Sequence, residues 1–530
     1  MKTANKRARG NKGTLKVKRN AINGKIIDKK EGWIYLEVGG TPYEIGFAHG
    51  KLLRPHFKQV LRVLPFNVEN ELKISYADYL RDCKRIFTPI LEEDEWAFIK
   101  EELRGIVAGA SMKGITYDFL VAWNSYLSMC TYYEKNHDSF GSKNAEHSTL
   151  PSEGREGTVV REPLGRCSAF IATGSATKTG EIVMAHNTHS DFATGFIMNV
   201  VMRVKPSATP SATPLAMPLA TPSAPISFVM QTAPGLICSS SDWFLCDNGI
   251  IGCETTISNL NFVPDFSKGL KDQKVPYYLR IRKAMQYGKT LDDYVEIILK
   301  KSAGDYACTW FLGDVNTGEI MMLEDGGKHI GVERTRNGAF HASNNAMTPE
   351  IAALDTTRDN KYNPDSTTGA RHLRMEYLLF EKYRGKLDTT NAKKILADHY
   401  DVSENKYKMG KMNICKHAEL EGREPTEKEG SKEGSKEGSK GLTCTKGASI
   451  MAPKAPLNHG FPLKEGSKGN VVPLKGATDG KVIDSSMARR MQFEGRMGSP
   501  CGRIFRKSDY GVPLSAPIFD MPRHKWTKLL

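Results

Sequence analysis

The sequence has no Cys-x-x-Cys pair, so the usual zinc and dithiol redox spacings are missing. It has no run of 18 apolar residues, which excludes an ordinary transmembrane helix. No apolar stretch follows its basic N-terminus, so a secretory signal is not expected and an intracellular site is. Basic charge is scarce outside one arm. Residues 1–30 hold eleven Lys and Arg against one Asp, or +10 of a total of +15. The remaining 500 residues carry only +5, so no specific nucleic-acid surface is expected. At 39 % hydrophobic and 25 % charged residues, the 530-residue chain has ample material for a large core. Its ten cysteines, at 83, 130, 167, 238, 246, 253, 308, 415, 444 and 501, fit no ligand set by spacing and read mostly as buried free thiols. No metal or cofactor is expected.

Two segments are of low complexity. Residues 206–225 carry Pro at roughly every fourth position, which bars them from a sheet and suggests an extended loop between strands. Residues 429–440 repeat Glu-Gly-Ser-Lys, echoed at 465–468, and have no apolar face at any period. The organisation this implies is a basic, partly disordered arm (1–40), a helical part (41–166), a main folded part (167–420), a low-complexity insertion (421–470) and a C-terminal part of that same domain (471–530).

Residues 43–62, 68–112 and 117–131 read as helical. From 167 the pattern turns to strands: CSAFIAT, EIVMAHN, GFIMNVVMRV, ISFVMQTA, GLIC, NGIIGCETTIS, YACTWFLGDV and EIMMLED, with turn signals at 178–180, 247–249 and 316–318. Helices return at 276–301 and 370–384. This order predicts an α+β class, or a layered αββα domain with a helical N-terminal segment.

Cys167 is the chemically informative position. It starts the strand CSAFIAT, which turns through GSATKTG into EIVMAHN. A turn centred near residue 177 sets Cys167 opposite Asn187, with His186 beside the sulfur if the register slips. If the Arg166–Cys167 bond is cut, one residue carries both a thiol and an α-amine. An amine of pKa about 7.7–8.0 and a thiol near 8.5 exchange a proton almost evenly. Nucleophile and base then come from a single residue. On spacing alone an ordinary strand cysteine and a core histidine are the better account of Cys167 and His186, and Asn344–Asn345 reads as an ordinary turn.

The wider pattern resembles the autoprocessed cysteine N-terminal-nucleophile hydrolases, in the group joining phospholipase B-like and penicillin acyltransferase-like proteins (peptidase family C45). The similar stretches, in order, are TPYEIGFAHGKLL (41–53), EELRGIVAGASMKG (101–114), the Cys-Ser-Ala start with AHNTH, GIIGCETTISNLN (249–261) and FHASNNAM (340–347). DSTTGARHLRMEYLL (365–379), NICKH (413–417), DGKVIDSSMARRM (479–491) and GSPCGRIF (498–505) follow. His189 stands where phospholipase B-like proteins usually have Trp, and Arg166 where penicillin acyltransferase-like proteins usually have Gly.

The resemblance implies a four-layer αββα sandwich and self-cleavage between Arg166 and Cys167, giving associated fragments of 166 and 364 residues. It implies hydrolysis or transfer of an acyl group from an ester or amide through a thioester, with Cys167 as nucleophile. His186 or Asn187 would orient the amine or serve the oxyanion. Asn344 or Asn345 would supply an oxyanion donor, and Arg371 would depress the thiol pKa or orient substrate, with Ser366 in support. The substrate would be a small-molecule or lipid acyl compound, met in transient contact with a membrane surface in the lipid case. Alternatives are a penicillin acyltransferase-like N-acyl amidase, a non-catalytic interaction protein on the same fold and, more weakly, a papain-like enzyme.

Overall fold

The computed structural model describes residues 22–140, 166–207, 224–239, 242–262, 266, 274–421 and 474–529. The Pro-rich and Glu-Gly-Ser-Lys readings fall mainly or wholly outside these residues. The chain opens with a hairpin, β1 (Gly24–Lys30) and β2 (Trp33–Gly40), turned at Glu31 and Gly32, both left-handed. This corrects the expectation of a basic arm reaching to residue 40. Trp33, Ile34, Tyr35, Leu36 and Val38 are buried, and that apolar run outweighs the lysines that precede it.

Six helices follow: α1 (Pro42–Leu52), α2 (Phe57–Asn67), α3 (Tyr76–Leu91), α4 (Ala97–Ala110), α5 (Tyr117–Asn124) and α6 (Tyr126–Phe140). Thr41 and Glu44 form a reciprocal capping box at the start of α1. Helices α1 and α4 approach backbone to backbone through two glycine pairs. A Cβ on Gly46 or Gly50 would stand 1.9 or 2.2 Å from the carbonyl oxygens of Glu102 and Ile106. One on Gly105 or Gly109 would meet those of Tyr43 and Phe47 at 2.2 and 2.1 Å.

The strand-rich region then runs β3 (Arg166–Gly174), β4 (Gly180–Asp191), α7 (Phe192–Gly195), β5 (Val200–Pro206), β6 (Phe228–Thr232), β7 (Trp243–Cys246) and β8 (Ile250–Thr256). It continues with α8 (Tyr277–Tyr287), α9 (Leu291–Leu299), β9 (Cys308–Asp314), β10 (Glu319–Asp325), β11 (Ile330–Thr335), β12 (Gly338–Ala342), α10 (Pro349–Leu354), α11 (Thr367–Tyr377) and α12 (Thr389–Leu396). The last elements are β13 (Tyr400–Asp401), β14 (Lys406–Tyr407), β15 (Lys475–Asp484), α13 (Ser485–Arg489), β16 (Phe493–Met497) and β17 (Thr527–Leu529).

Two large sheets result. One has the order β1-β2-β5-β6-β7-β8-β9-β10-β11, the other β12-β3-β4-β15-β16-β17. Pairing is antiparallel except between β2 and β5. The sheets pack face to face, β3 lying against β8, β9 and β10. The outer face of the first sheet carries α1, α8 and α9, and that of the second carries α11 and α12. The architecture is therefore the expected α+β sandwich of αββα layers with a helical N-terminal part.

Strand alternation fixes which side chains face which layer. Ala169 and Ile171 of β3, with Ile182 and Met184 of β4, join the core between the sheets. Phe170, Ala172, Val183 and Ala185 instead pack under α11 and α12, against Met375, Ile395 and Leu396. Gly313 of β9 comes so close that a Cβ there would stand 3.0 Å from Ile171.

GLIC (235–238) is not a strand. Its backbone is held by side chains of the helical part: His49 Nε2 accepts from Gly235 N–H at 2.9 Å, and Asn124 donates to the Gly235 carbonyl and accepts from Ile237 N–H, each at 2.9 Å. With those groups satisfied, no ladder is needed. Among the described residues, no helix is long and apolar enough to cross a membrane.

Candidate active site

Cys167 lies on the inner face of β3, buried, and pairs with Thr188 of β4 rather than Asn187. The turn is centred where expected, since Gly174 pairs with Gly180, but an irregularity between Ala172 and Gly174 shifts the register by one. Cys167 and His186 therefore face the other sheet, while Ser168, Asn187 and His189 face the helices.

This alternation separates the sequence candidates. Asn187 turns away from the sulfur: its Nδ2 donates to the carbonyls of Leu396 and Ile414 at 2.8 and 3.1 Å. The reading of Asn187 as a partner of the amine or the oxyanion is corrected accordingly, because the one-residue register shift puts its side chain on the opposite face. A His189 ring nitrogen shares the Ile414 carbonyl at 3.0 Å. His186 Nε2 sits 2.9 Å from the Glu254 carbonyl, a pure acceptor, so Nε2 carries the proton and Nδ1 the lone pair. The Cys167 sulfur, a ring nitrogen of His186 and a carboxylate oxygen of Asp242 all lie within 4.8 Å of one another.

Asn344 approaches the backbone of Cys167. Its Oδ1 accepts from Cys167 N–H at 3.0 Å and from Arg371 Nη2 at 3.0 Å, while its Nδ2 donates to the Thr256 carbonyl at 2.9 Å. Asn344 adopts φ 72°, a left-handed conformation that Asn tolerates better than most residues. Asn345 turns instead to α11, donating to the Thr368 carbonyl at 3.1 Å. Ser366 caps α11, accepting from Gly369 N–H at 2.9 Å.

Arg371 is fully buried and spreads its fork over the same backbone. Nη1 donates to the Cys167 carbonyl at 2.7 Å and to Ser168 Oγ at 2.9 Å, and Nε donates to the Thr367 carbonyl at 2.9 Å. These bonds go to the main chain of Cys167 and Thr367, Ser168 Oγ and the Asn344 amide, so Arg371 fits a positioning part better than a direct charge on sulfur.

The cation that acts on the sulfur is Lys481 of β15, which lies beside His186 in the ladder. Its Nζ contacts Asp479 Oδ1 and donates to Thr188 Oγ1, each at 2.8 Å, with both charged side chains fully buried. Burial pushes the Cys167 thiol well above its ordinary range, and the carboxylates of Glu254 and Asp242 push further in the same direction. Lys481 and the His189 backbone N–H pull it back only in part. The sulfur is thus a protonated thiol.

Asp242 is likewise held above the usual carboxylate range by burial, against a hydrogen bond with Glu254 and the charge of Lys481. Tyr306 Oη donates to Glu254 Oε1 at 2.7 Å and meets Thr256 Oγ1 at 2.8 Å. Sequence reasoning missed Asp242, Tyr306, Asp479 and Lys481. The one legible signal was Asp479-x-Lys481, two opposite charges at period two within a strand-length run.

A cavity of about 60 Å³ opens at Cys167. Trp123, Tyr126, Leu127, Met198 and Leu236 form much of its wall, with Asp242 and Thr188 beside the sulfur. The helical part and the loop at 235–238 thus supply an apolar wall to a polar end.

None of the curated proteins compared with the chain matches it. Among solved structures, a Caenorhabditis elegans N-acylethanolamine-hydrolyzing acid amidase ortholog is similar at 11 % identity and a TM-score of 0.26, covering 44 % of this chain and 86 % of its own. A mutant conjugated bile acid hydrolase from Clostridium perfringens is similar at 9 % identity and a TM-score of 0.32, covering 62 % and 89 %. The family model described as Phospholipase B matches residues 120–345, a stretch that runs from α5 through the Cys167 strand to the Asn344–Asn345 pair. Over that stretch the chain is similar to the phospholipase B family, as the order of its motifs led us to expect.

Proposed function

We propose that the chain is a self-processing cysteine hydrolase that cleaves an acyl ester or amide, of a lipid or of a small N-acyl compound. The observation that carries the reading is the grip on the Cys167 main chain. Asn344 accepts from its N–H, and Arg371 donates to its carbonyl. A buried amide thus takes the N–H and a buried guanidinium the carbonyl of a cysteine that heads a strand and opens onto the cavity, which holds the main chain of the proposed nucleophile in place.

In the first step the sulfur attacks the Arg166 carbonyl carbon. The peptide C–N bond breaks, the nitrogen leaves as the Cys167 amine, and water then hydrolyses the thioester. Asp242 and the His186 Nδ1 lone pair are the bases within reach of the sulfur. In turnover the new amine, held at Asn344 Oδ1, takes the thiol proton as sulfur attacks the substrate carbonyl. It returns the proton to the leaving group as the tetrahedral intermediate collapses, and water releases the acyl group. The apolar wall of Trp123, Tyr126, Leu127, Met198 and Leu236 suits an acyl chain at the carbonyl.

Intact mass spectrometry tests this. Wild-type protein should yield pieces of 166 and 364 residues, and Cys167→Ala should stay a single 58.8 kDa chain. A wild-type chain that remains whole through prolonged incubation at neutral pH refutes the reading.

A further inference from the structure

Far from Cys167 in sequence, four metal-ligating side chains converge that the acyl chemistry does not use. His399 follows α12, Cys415 and His417 lie in the loop after β14, and Cys501 sits in the turn after β16. One donor atom from each lies within 4.8 Å of all the others. His399, Cys415 and His417 are buried and Cys501 is half-buried.

The distances have the size of a coordination shell. His417 Nε2 is 3.5 Å from the sulfurs of both Cys415 and Cys501. For Zn–N of about 2.05 Å and Zn–S of about 2.3 Å at the tetrahedral angle, the nitrogen–sulfur edge is about 3.6 Å. His399 Nε2 is buried beside the Cys501 sulfur without a hydrogen bond of normal geometry, a cost that a ligand would remove. His417 Nδ1 lies 2.9 Å from Glu419 Oε1, the carboxylate–histidine pairing that fixes a ligating imidazole with Nε2 toward the metal.

We propose that His399, Cys415, His417 and Cys501 bind one zinc ion in a closed structural site. Two thiolates and two imidazoles in tetrahedral array suit Zn2+, and four protein ligands leave no open position for catalysis. On binding, the protons still carried by the ligating sulfurs and by the ligating imidazole nitrogens pass to solvent, leaving two thiolates and two neutral imidazoles on the ion. Cys415 and His417 form a Cys-x-His pair, while His399 and Cys501 come from elements remote in sequence, which is why no linear spacing announced the site.

The placement gives the ion a structural task. His417 and Cys501 are 84 positions apart, so the ion closes a long loop of chain. Cys415 also follows Ile414, whose carbonyl receives Asn187 and His189 from β4. The Lys416 carbonyl accepts from Ala477 N–H of β15 at 2.8 Å. The ion would therefore anchor the segment on which the outer face of the Cys167 hairpin rests. The proposal stands on these four residues alone and does not require acyl-hydrolase activity.

The test is elemental analysis of the full chain, expressed with zinc and dialysed free of loose metal. Roughly one zinc per chain is expected in the wild type, and less than a tenth of that in His399→Ala and Cys501→Ser. Glu419→Gln should weaken zinc about 10–100-fold in competition with a chelator. If the ligand variants do not fold, cobalt(II) added to reduced, metal-stripped wild type should give thiolate charge-transfer and intense tetrahedral d–d bands. Three results overturn the proposal: wild type without zinc and without those cobalt bands, a Cys415–Cys501 disulfide in freshly isolated protein, or iron in place of zinc.

Discussion

Replacing Arg371 by Met removes a buried fork and leaves its volume nearly filled. Four acceptors lose a charged donor: the carbonyls of Cys167 and Thr367, Ser168 Oγ and Asn344 Oδ1. Each charge-assisted bond contributes about 1.5–3 kcal/mol, but they share one side chain and do not add. A buried acceptor left without its donor costs about 1–3 kcal/mol, and with several such acceptors sharing one side chain we take about 3–5 kcal/mol as the loss of stability. At about 1 °C per kcal/mol for a chain of 530 residues, Tm should fall by about 3–5 °C. The protein would still be folded at 25 °C.

The catalytic loss should be larger than that thermal loss suggests. Asn344 would keep its bond to Thr256 but lose the guanidinium that fixes Oδ1 against the Cys167 nitrogen. A misplacement of about 1 Å in a reacting group costs about 100-fold, which is the drop expected in self-cleavage and turnover. Arg371→Lys restores charge but reaches at most part of the fork, so it should recover Tm more than rate. Rates come from an intact-mass time course and stability from calorimetry on the same samples. Self-cleavage by Arg371→Met within about threefold of wild type, or full rescue of rate by Lys, would refute a geometric role.

Three further outcomes follow from buried groups. His49 is held neutral by burial, its pKa lowered from 6.5 to about 4. Its contribution is complete above pH 6.5 and is lost as pH falls toward 4, amounting to about 2 kcal/mol at pH 5. His49→Gln should therefore narrow the drop in Tm between pH 7.5 and 5, and an unchanged drop would place acid sensitivity elsewhere. Gly105→Ala sets a methyl group 2.2 Å from the Tyr43 carbonyl oxygen, so α1 and α4 must separate. A loss of at least about 1–3 kcal/mol in denaturant unfolding is expected, and a neutral effect would mean the helices separate freely. Lys481→Met leaves Asp479 buried beside an apolar chain and should cost about 3–5 kcal/mol, much of it recovered in Lys481→Met/Asp479→Leu. Additive losses in that double variant would deny the pair.

The sequence carried the layers better than the contacts between them. The β3–β4 hairpin was legible because apolar alternation meets an unmistakable turn, and its centre at residue 177 was right. A single irregularity near Ala172 then rotated the answer, exchanging Thr188 for Asn187 opposite the sulfur. Nothing local marks such a bulge, since it arises from how the turn joins the ladder. β15 escaped notice because KGATDGKVID is rich in Gly and charge, and its ions are buried only through partners on β4 and β6. GLIC misled in the opposite way: it is apolar enough for a strand, but its hydrogen bonds are taken by His49 and Asn124 from distant helices. The pairing of Arg371 with Cys167 spans 204 positions and rests on tertiary packing alone.

The groups around the sulfur also bear on why a freed amine would be worth making. His186 has its proton committed to the Glu254 carbonyl, and burial together with Lys481 holds it well below its ordinary basicity. Asp242 is a carboxyl beside a second carboxyl, weakly basic even after its upward shift. Neither matches a buried thiol whose own pKa is raised, so proton transfer to either is uphill at neutral pH. Such bases are adequate for an event that happens once per molecule. Repeated turnover asks for a stronger base, and an α-amine, at about 7.7–8.0 in water, comes nearer to the thiol than either while the transfer stays uphill. Under the proposed self-cleavage, the burial that makes Cys167 a poor nucleophile in the intact chain would restrict turnover to the cut one.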